Sequence, residues 1–219
     1  MIDDFEAKGK RKKLVEELRH KGINDEEVLR AVGKVPRHVF MDPAFLIHAY
    51  VDKAFPISSG QTISQPYTVA VQTSLLKVER RSKILEIGTG SGYQAAILAE
   101  MGAKVYSIER VHDLFENTAQ RFESLPYHIT MKLDDGSTGW SMFAPYDKII
   151  VTAGSPKIPK QLTLQLKNDG IMVIPVGDKK LQQMVVIKKS EGKDGKPEYS
   201  IKKYSEFKFV PLVGEDAWK

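Results

Sequence analysis

The residues Gly88-Thr89-Gly90-Ser91-Gly92 are spaced to cradle a ligand. They follow the apolar run around Leu85-Glu86-Ile87 and open a segment of helical periodicity, which is the context a nucleotide-binding loop requires. Glycines let the chain turn tightly and bring backbone N–H groups close to a ligand. The spacing is G-x-G-x-G. A dinucleotide fingerprint would need glycine where Tyr93 stands, which disfavours a nicotinamide dehydrogenase. A P-loop would need a following Gly-Lys-Ser/Thr, which is absent. A ligand with an amino-acid moiety against the loop therefore fits better than a pyrophosphate. Glu109 closes the next strand-like run, about 20 residues further on, where a carboxylate can accept hydrogen bonds from both hydroxyls of a ribose. Its alternative is a plain strand-end charge. Asp135-Gly136 follows a third such run, where an acid beside a glycine can line an adenine pocket; Asp134-Asp135-Gly136-Ser137 is also good turn chemistry in its own right. Loop, carboxylate and turn together point to S-adenosylmethionine.

Other chemistries are excluded. The chain has no cysteine, which removes disulfide scaffolds, thiolate metal sites and thiol nucleophiles. His20, His38, His48, His112 and His128 are scattered without metal-ligand spacing. Ser91 does not sit in G-x-S-x-G, because residue 89 is threonine. Ser74-Leu75-Leu76-Lys77 matches S-x-x-K on an apolar helix without its companion motifs. The 219 residues carry a net charge of +5, with 42% apolar and 28% charged residues, the composition of an ordinary globular chain. Lys8, Lys10, Arg11, Lys12 and Lys13 read as the solvated start of an amphipathic helix; a nucleic-acid arm is the other reading. No run approaches the roughly 18 apolar residues of a membrane helix. Met1-Ile2-Asp3-Asp4 has acids where a signal peptide would have bases.

The elements that must position these residues follow from periodicity. Residues 1–65 read as helices and a long loop. Leu14 and Leu18 share one helix face, and Gly22 suits its stop. Asn24 and Glu27 resemble a capping box for a second helix that must end before Pro36. The irregular stretch 42–65 is rich enough in aromatic and apolar residues to be ordered. From Thr68 the spacing predicts helix 68–76, strand 83–87, helix 91–101, strand 105–108, helix 112–125, then strands at 129–133, 148–152 and 171–176 with a helix at 158–166. Alternation of this kind gives an α/β fold with a mostly parallel sheet and helices on both faces. Runs at 184–188 and 199–210, around the polar loop 190–197, predict an appended antiparallel hairpin. The expected organisation is one domain: a helical and loop cap (1–65), a core (66–180) and a C-terminal hairpin and tail (181–219).

Beyond the glycine loop, several ordered segments carry a resemblance: Val35-Pro36-Arg37-His38-Val39-Phe40, Gly60-Gln61-Thr62-Ile63-Ser64-Gln65-Pro66-Tyr67, Tyr146-Asp147-Lys148-Ile149-Ile150-Val151-Thr152-Ala153, Ile174-Pro175-Val176-Gly177 and Phe209-Val210-Pro211-Leu212. With Leu85 to Gln94, they make the chain resemble the protein-L-isoaspartate O-methyltransferases over nearly its whole length. The resemblance implies a Rossmann-like S-adenosylmethionine methyltransferase of the cytoplasm, monomeric and acting on isoaspartyl peptides and proteins, with no metal, nucleic acid or membrane involved. It implies methyl esterification of the isoaspartyl α-carboxyl, after which a succinimide closes and part of the damage reverts to aspartate. It implies Ser64 as the active-site serine, Thr62, Ile63 and Val210 beside the peptide, and Glu86, Gly88, Thr89, Gly90, Gly92, Glu109, Asp135 and Gly136 around the cofactor. The sequence departs from the family at Ser58, where glycine is common, at Asp134, and at Gly154-Ser155. Ser58 raises the question of the loop backbone, since serine tolerates positive φ poorly.

The chemistry implied needs no general base. An α-carboxyl has a pKa of about 3.3–3.7 and is ionised at neutral pH. The protein's task is to hold its oxygen in line with the methyl group. Ser64 could donate a hydrogen bond to that carboxylate, or cap the helix beginning near Pro66, and both roles are open. Loop 56–66 and the tail around Val210 are expected to form an edge for an extended peptide. A methyltransferase acting on RNA or a metabolite, or a binding protein without turnover, would share the glycine loop but leave Gly60 to Tyr67 without a role.

Overall fold

A computed structural model describes residues 3–192 and 194–219; Met1, Ile2 and Lys193 of the predicted polar loop lie outside the described residues. Two helices open the chain, α1 (Phe5–His20) and α2 (Glu26–Lys34). Asp4 caps α1 by accepting from Ala7 N, and Gly22, at φ +93°, follows its end. The cap of α2 is Asp25, whose side chain accepts from Val28 N, and not Asn24 as the capping-box pattern suggested. Three-residue spacing to a backbone donor, rather than to a glutamate side chain, decides the boundary.

The stretch after α2 is ordered. Helical turns at 37–40 and 43–48 lead into a two-residue ribbon, β1 (Phe55–Pro56) against β2 (Thr62–Ile63). Residues 58–60 form the turn between them. Ser59 and Gly60 take the positive φ there, at 58° and 67°, so Ser58 is spared the strain its sequence position raised. Then come α3 (Pro66–Leu76), β3 (Lys83–Ile87), α4 (Tyr93–Glu100), β4 (Lys104–Glu109), α5 (His112–Glu123), β5 (Ile129–Leu133) and β6 (Tyr146–Val151). The last elements are α6 (Lys160–Leu164), β7 (Leu166–Gly177), β8 (Gln182–Glu191) and β9 (Pro197–Phe207).

The seven long strands form one sheet in the order β5-β4-β3-β6-β7-β8-β9. The first five are parallel, and β8 and β9 run antiparallel. Ile149-Ile150-Val151 and Met172-Val173-Ile174 are wholly buried, as strands covered on both faces must be. The chain winds outward from β3 through β4 to β5, then returns to the other side of β3 at β6. The switch falls between β3 and β6, where open α/β sheets bind ligands beyond the carboxyl ends of their strands.

Candidate active site

A cavity at those carboxyl ends brings together residues from six segments. Gly88, Thr89 and Gly90 come from the loop after β3, Glu109 from the end of β4, Gly136 from the turn after β5, and Thr152 from the end of β6. Thr62, Ile63 and Ser64 approach from the β2 ribbon, and Val210 from the tail. The structure thus assembles nine of the twelve sequence-predicted site residues, leaving Glu86, Gly92 and Asp135 off its wall.

Backbone bonds shape the loop. Gly88 N donates to Ile108 O at 2.9 Å, and Gly92 N to Thr89 O at 2.9 Å. Gly88 has φ +93°, and a Cβ there would stand 2.7 Å from Thr152 Oγ1. That hydroxyl is fixed by donating to Gly88 O at 2.6 Å. Gly92 has φ +89°, and a Cβ there would meet the Phe122 ring at 2.8 Å. Gly92 therefore serves the close packing of α5 on the loop rather than a ligand.

Glu109 is almost wholly buried and its carboxylate is busy. Oε2 accepts from Gly90 N at 2.8 Å, and Oε1 accepts from Arg110 N and Val111 N at 2.7 and 2.9 Å. A carboxylate has about four lone-pair sites, so three are committed. Accepting both hydroxyls of a ribose therefore requires one of these three backbone donors to let go. Gly136, by contrast, has no room to spare: a Cβ would lie 2.5 Å from Ile87.

Asp135 and Glu86 do other work. Asp135 Oδ1 accepts from Ser137 N at 2.8 Å, and Oδ2 accepts from Glu215 N at 2.7 Å, so this carboxylate latches the C-terminal segment. Both the turn reading and a tertiary role hold. Glu86 is 0% exposed and lies beneath the loop. Ser107 Oγ donates to its Oε2 at 2.5 Å and also pairs with Thr89 Oγ1 at 2.6 Å, while Glu86 Oε1 has no partner among the described residues. Burial pushes its pKa up to about 8, the Ser107 hydrogen bond opposes this, and the nearby Glu109 charge adds to it.

Ser64 is not the cap of α3. The position before Pro66 is Gln65, with no side-chain cap bond. The orphan N–H of Tyr67 is taken instead by Asp52 Oδ1 at 2.8 Å, from 15 residues upstream. The same carboxylate accepts from Gln65 Nε2 at 3.0 Å and pairs with Lys21 at 2.7 Å. Sequence reasoning missed Asp52, and it also missed the tail anchor. Val210 O accepts from Gly154 N, and Leu212 N donates to Gly154 O, both at 2.8 Å. That pairing explains the small residue at 154: a Cβ there would press on Gln182 at 2.8 Å.

The donor set suits S-adenosylmethionine. The glycine cradle, which a Cβ would fill, would suit an amino-acid end, the Glu109 carboxylate would suit a ribose, and Val111 and Leu114 would give a base apolar walls. Among the described residues no group of three His, Asp or Glu side chains could hold a metal ion, and no helix is long and apolar enough to cross a membrane. Fold and site together define a Rossmann-like S-adenosylmethionine-dependent methyltransferase.

Comparison with known proteins narrows the class. Residues 9–217 match the family described as protein-L-isoaspartate(D-aspartate) O-methyltransferase. A protein-L-isoaspartate O-methyltransferase of Cytophaga hutchinsonii is 54% identical over 218 residues, covering 100% of this chain and 97% of the relative. One of Dictyoglomus thermophilum is 47% identical over 219 residues, again covering 100% and 97%. A solved protein-L-isoaspartate O-methyltransferase superposes with a TM-score of 0.83 at 27% identity, covering 94% of this chain and 67% of that one. A Plasmodium falciparum protein of that description, solved with S-adenosyl-L-homocysteine, shares the fold at a TM-score of 0.78 and 24% identity, covering 93% and 98%. The chain belongs to the protein-L-isoaspartate(D-aspartate) O-methyltransferase family. Its reaction is the S-adenosylmethionine-dependent methylation of isoaspartyl residues in damaged proteins.

Proposed function

We propose that the enzyme works as a clamp, in which Ser64 orients the isoaspartyl α-carboxylate and no side chain acts as base or nucleophile. One observation carries this reading. Ser64 lines the same cavity as the glycine loop, and the helix-capping task that would otherwise occupy it falls to Asp52. S-adenosylmethionine, when bound, supplies an electrophilic methyl group on a positively charged sulfur. The substrate carboxylate arrives ionised, because its pKa of about 3.3–3.7 lies far below neutral. Ser64 donates a hydrogen bond to one carboxylate oxygen and leaves the other free to attack. Holding reacting atoms at about 3–3.5 Å in line is worth roughly 7–11 kcal/mol of the barrier.

Thr62, Ile63 and Val210 border the peptide in this reading, with Ile63 as the buried floor and Thr62 exposed at the rim. The β1–β2 ribbon and the tail offer an edge to an extended peptide. Gly88, Thr89, Gly90, Glu109 and Gly136 hold the cofactor. Gly92 and Asp135 support it from behind, by packing α5 and by latching the tail. The chain acts as one methyltransferase unit, a cap at 1–65, a core at 66–180 and a tail unit at 181–219. It works as a cytoplasmic monomer without nucleic acid.

Ser64→Ala tests the clamp. Turnover on an isoaspartyl peptide, read as base-labile radiolabelled methyl ester, is expected to fall about 10–100-fold, less than or comparable to the loss of one oxyanion donor elsewhere. The melting temperature should not move. Unchanged turnover with lowered stability would reject the role. Equal labelling of the aspartyl twin peptide, or of bulk RNA, would reject the substrate assignment.

A further inference from the structure

Arg37 is the largest fully buried side chain, at 0% exposure, yet among the described residues no carboxylate forms an ion pair with it. Its guanidinium is spent mainly on backbone, although Nη1 also reaches Met41 Sδ at 3.5 Å. Nη1 donates to Ala49 O at 2.8 Å; Nη2 donates to Lys53 O and to Ser64 O, both at 3.1 Å. Nε is unpartnered among the described residues. The cation lies over two rings, Phe55 at 5.9 Å and Tyr93 at 5.7 Å. The three carbonyls and two rings belong to the turn before the ribbon, the first residue of β1, the residue after β2, and the first residue of α4, which follows the glycine loop.

Burying a cation without a partner anion is costly, and desolvation pulls the Arg37 pKa down from its usual value. Arginine still keeps its charge inside proteins. A residue retained only to fill this space would do better apolar. What a guanidinium adds is a flat, rigid fork that can hold several carbonyls in fixed relation while stacking on aromatic faces. Here the carbonyls come from three points of the cap, and one of them belongs to Ser64. Asp52 grips the chain on the other side, at Gln65 and Tyr67. Ser64 is thus bracketed between a fixed cation and a fixed anion.

We propose that Arg37 is a positioning residue for methyl transfer: by holding Ser64 O while lying over the Tyr93 ring, it sets the distance between the peptide-side serine and the cofactor-side helix. It touches neither substrate nor cofactor and acts through Ser64. This rests on the reading of Ser64 as the residue that orients the substrate carboxylate.

A double-mutant cycle on kcat tests it. Arg37→Lys keeps the charge but loses the planar fork. At saturating cofactor it is expected to lower kcat by up to about 100-fold, the scale of an ångström-level misplacement. The dissociation constant for S-adenosylhomocysteine should stay within about twofold, since the glycine cradle is untouched. In a Ser64→Ala background the same substitution should cost less than about threefold, because the group it positions is gone. The full loss persisting in that background would overturn the proposal, leaving Arg37 a packing residue. Ser64→Ala with undiminished turnover would instead sink the role of Ser64 itself. Phe55→Leu serves if Arg37→Lys does not fold. It leaves every carbonyl paired but removes one ring, and it should lower kcat several-fold with Ser64 present and not without it. Equal effects in both backgrounds again overturn the proposal.

Discussion

Glu86 shows how a residue can sit in a ligand-binding motif and not face the ligand. Side chains alternate along a strand, so Ile87 reaches the cavity while Glu86 turns under the loop. The spacing of Gly88, Gly90 and Glu109 made the glycine loop that lines the cavity legible in the sequence, because it is local. The face taken by Glu86 was not legible, since one residue of register decides it. Its raised pKa has a consequence for stability. Between about 4.5 unfolded and about 8 folded, the native protein holds a proton that the unfolded chain has lost. The contribution of Glu86 to stability is therefore fully present below the unfolded value and is lost as pH rises toward 8. Its slope is about 1.4 kcal/mol per pH unit. Glu86→Gln, which cannot ionise, should be more stable than the parent at pH 8, with the gap closing toward pH 5. Denaturant melts at both pH values check this, and a gap that widens on acidification would contradict it.

Among the elements, α3 depends on a cap that sequence reading could not locate. Asp52 reaches Tyr67 N across the turn and the ribbon, a separation that no local pattern reports. Asp52→Ala should cost about 1–2 kcal/mol, the usual loss of a capping side chain, whereas Ser64→Ala costs nothing in stability. Thermal melts of the two variants side by side distinguish them. The helix expected at 158–166 shrinks to α6, five residues long. Pro159 begins it, and Leu166 already pairs with Tyr146 as the first residue of β7. The polar stretch Lys167-Asn168-Asp169-Gly170 hid that extension, because it interrupts the apolar run without ending the strand. The same effect, reversed, shortens the last strand. Apolar residues continue to Val210, but β9 stops at Phe207, and Val210 to Val213 lie off the sheet and line the cavity. Elements whose apolar runs and backbone pairing coincide, such as β3, β4 and α5, came out of the sequence within a few residues.

Across the whole molecule, the sheet has one long open edge. Among the described residues β9 pairs only with β8, and its outer side is exposed along most of its length, including Ile201 at 55%. Lys202 and Lys203 occupy the middle of this strand, where charge discourages a second copy from adding on. Lys202→Thr with Lys203→Thr should therefore produce concentration-dependent association in light scattering, while the parent stays unassociated. At the other end of the sheet's logic, the binding pocket is finished from far away. Its first wall is laid down at Gln61 and its last at Val213, with Asp135 and Gly154 waiting for the tail that fastens to them. During synthesis, then, the ribosome must translate past residue 213 before the enzyme exists as a catalyst. Nascent chains halted near residue 200 should already form the parallel strands and yet retain no S-adenosylhomocysteine, so a damaged-protein repairer spends its own birth unable to work.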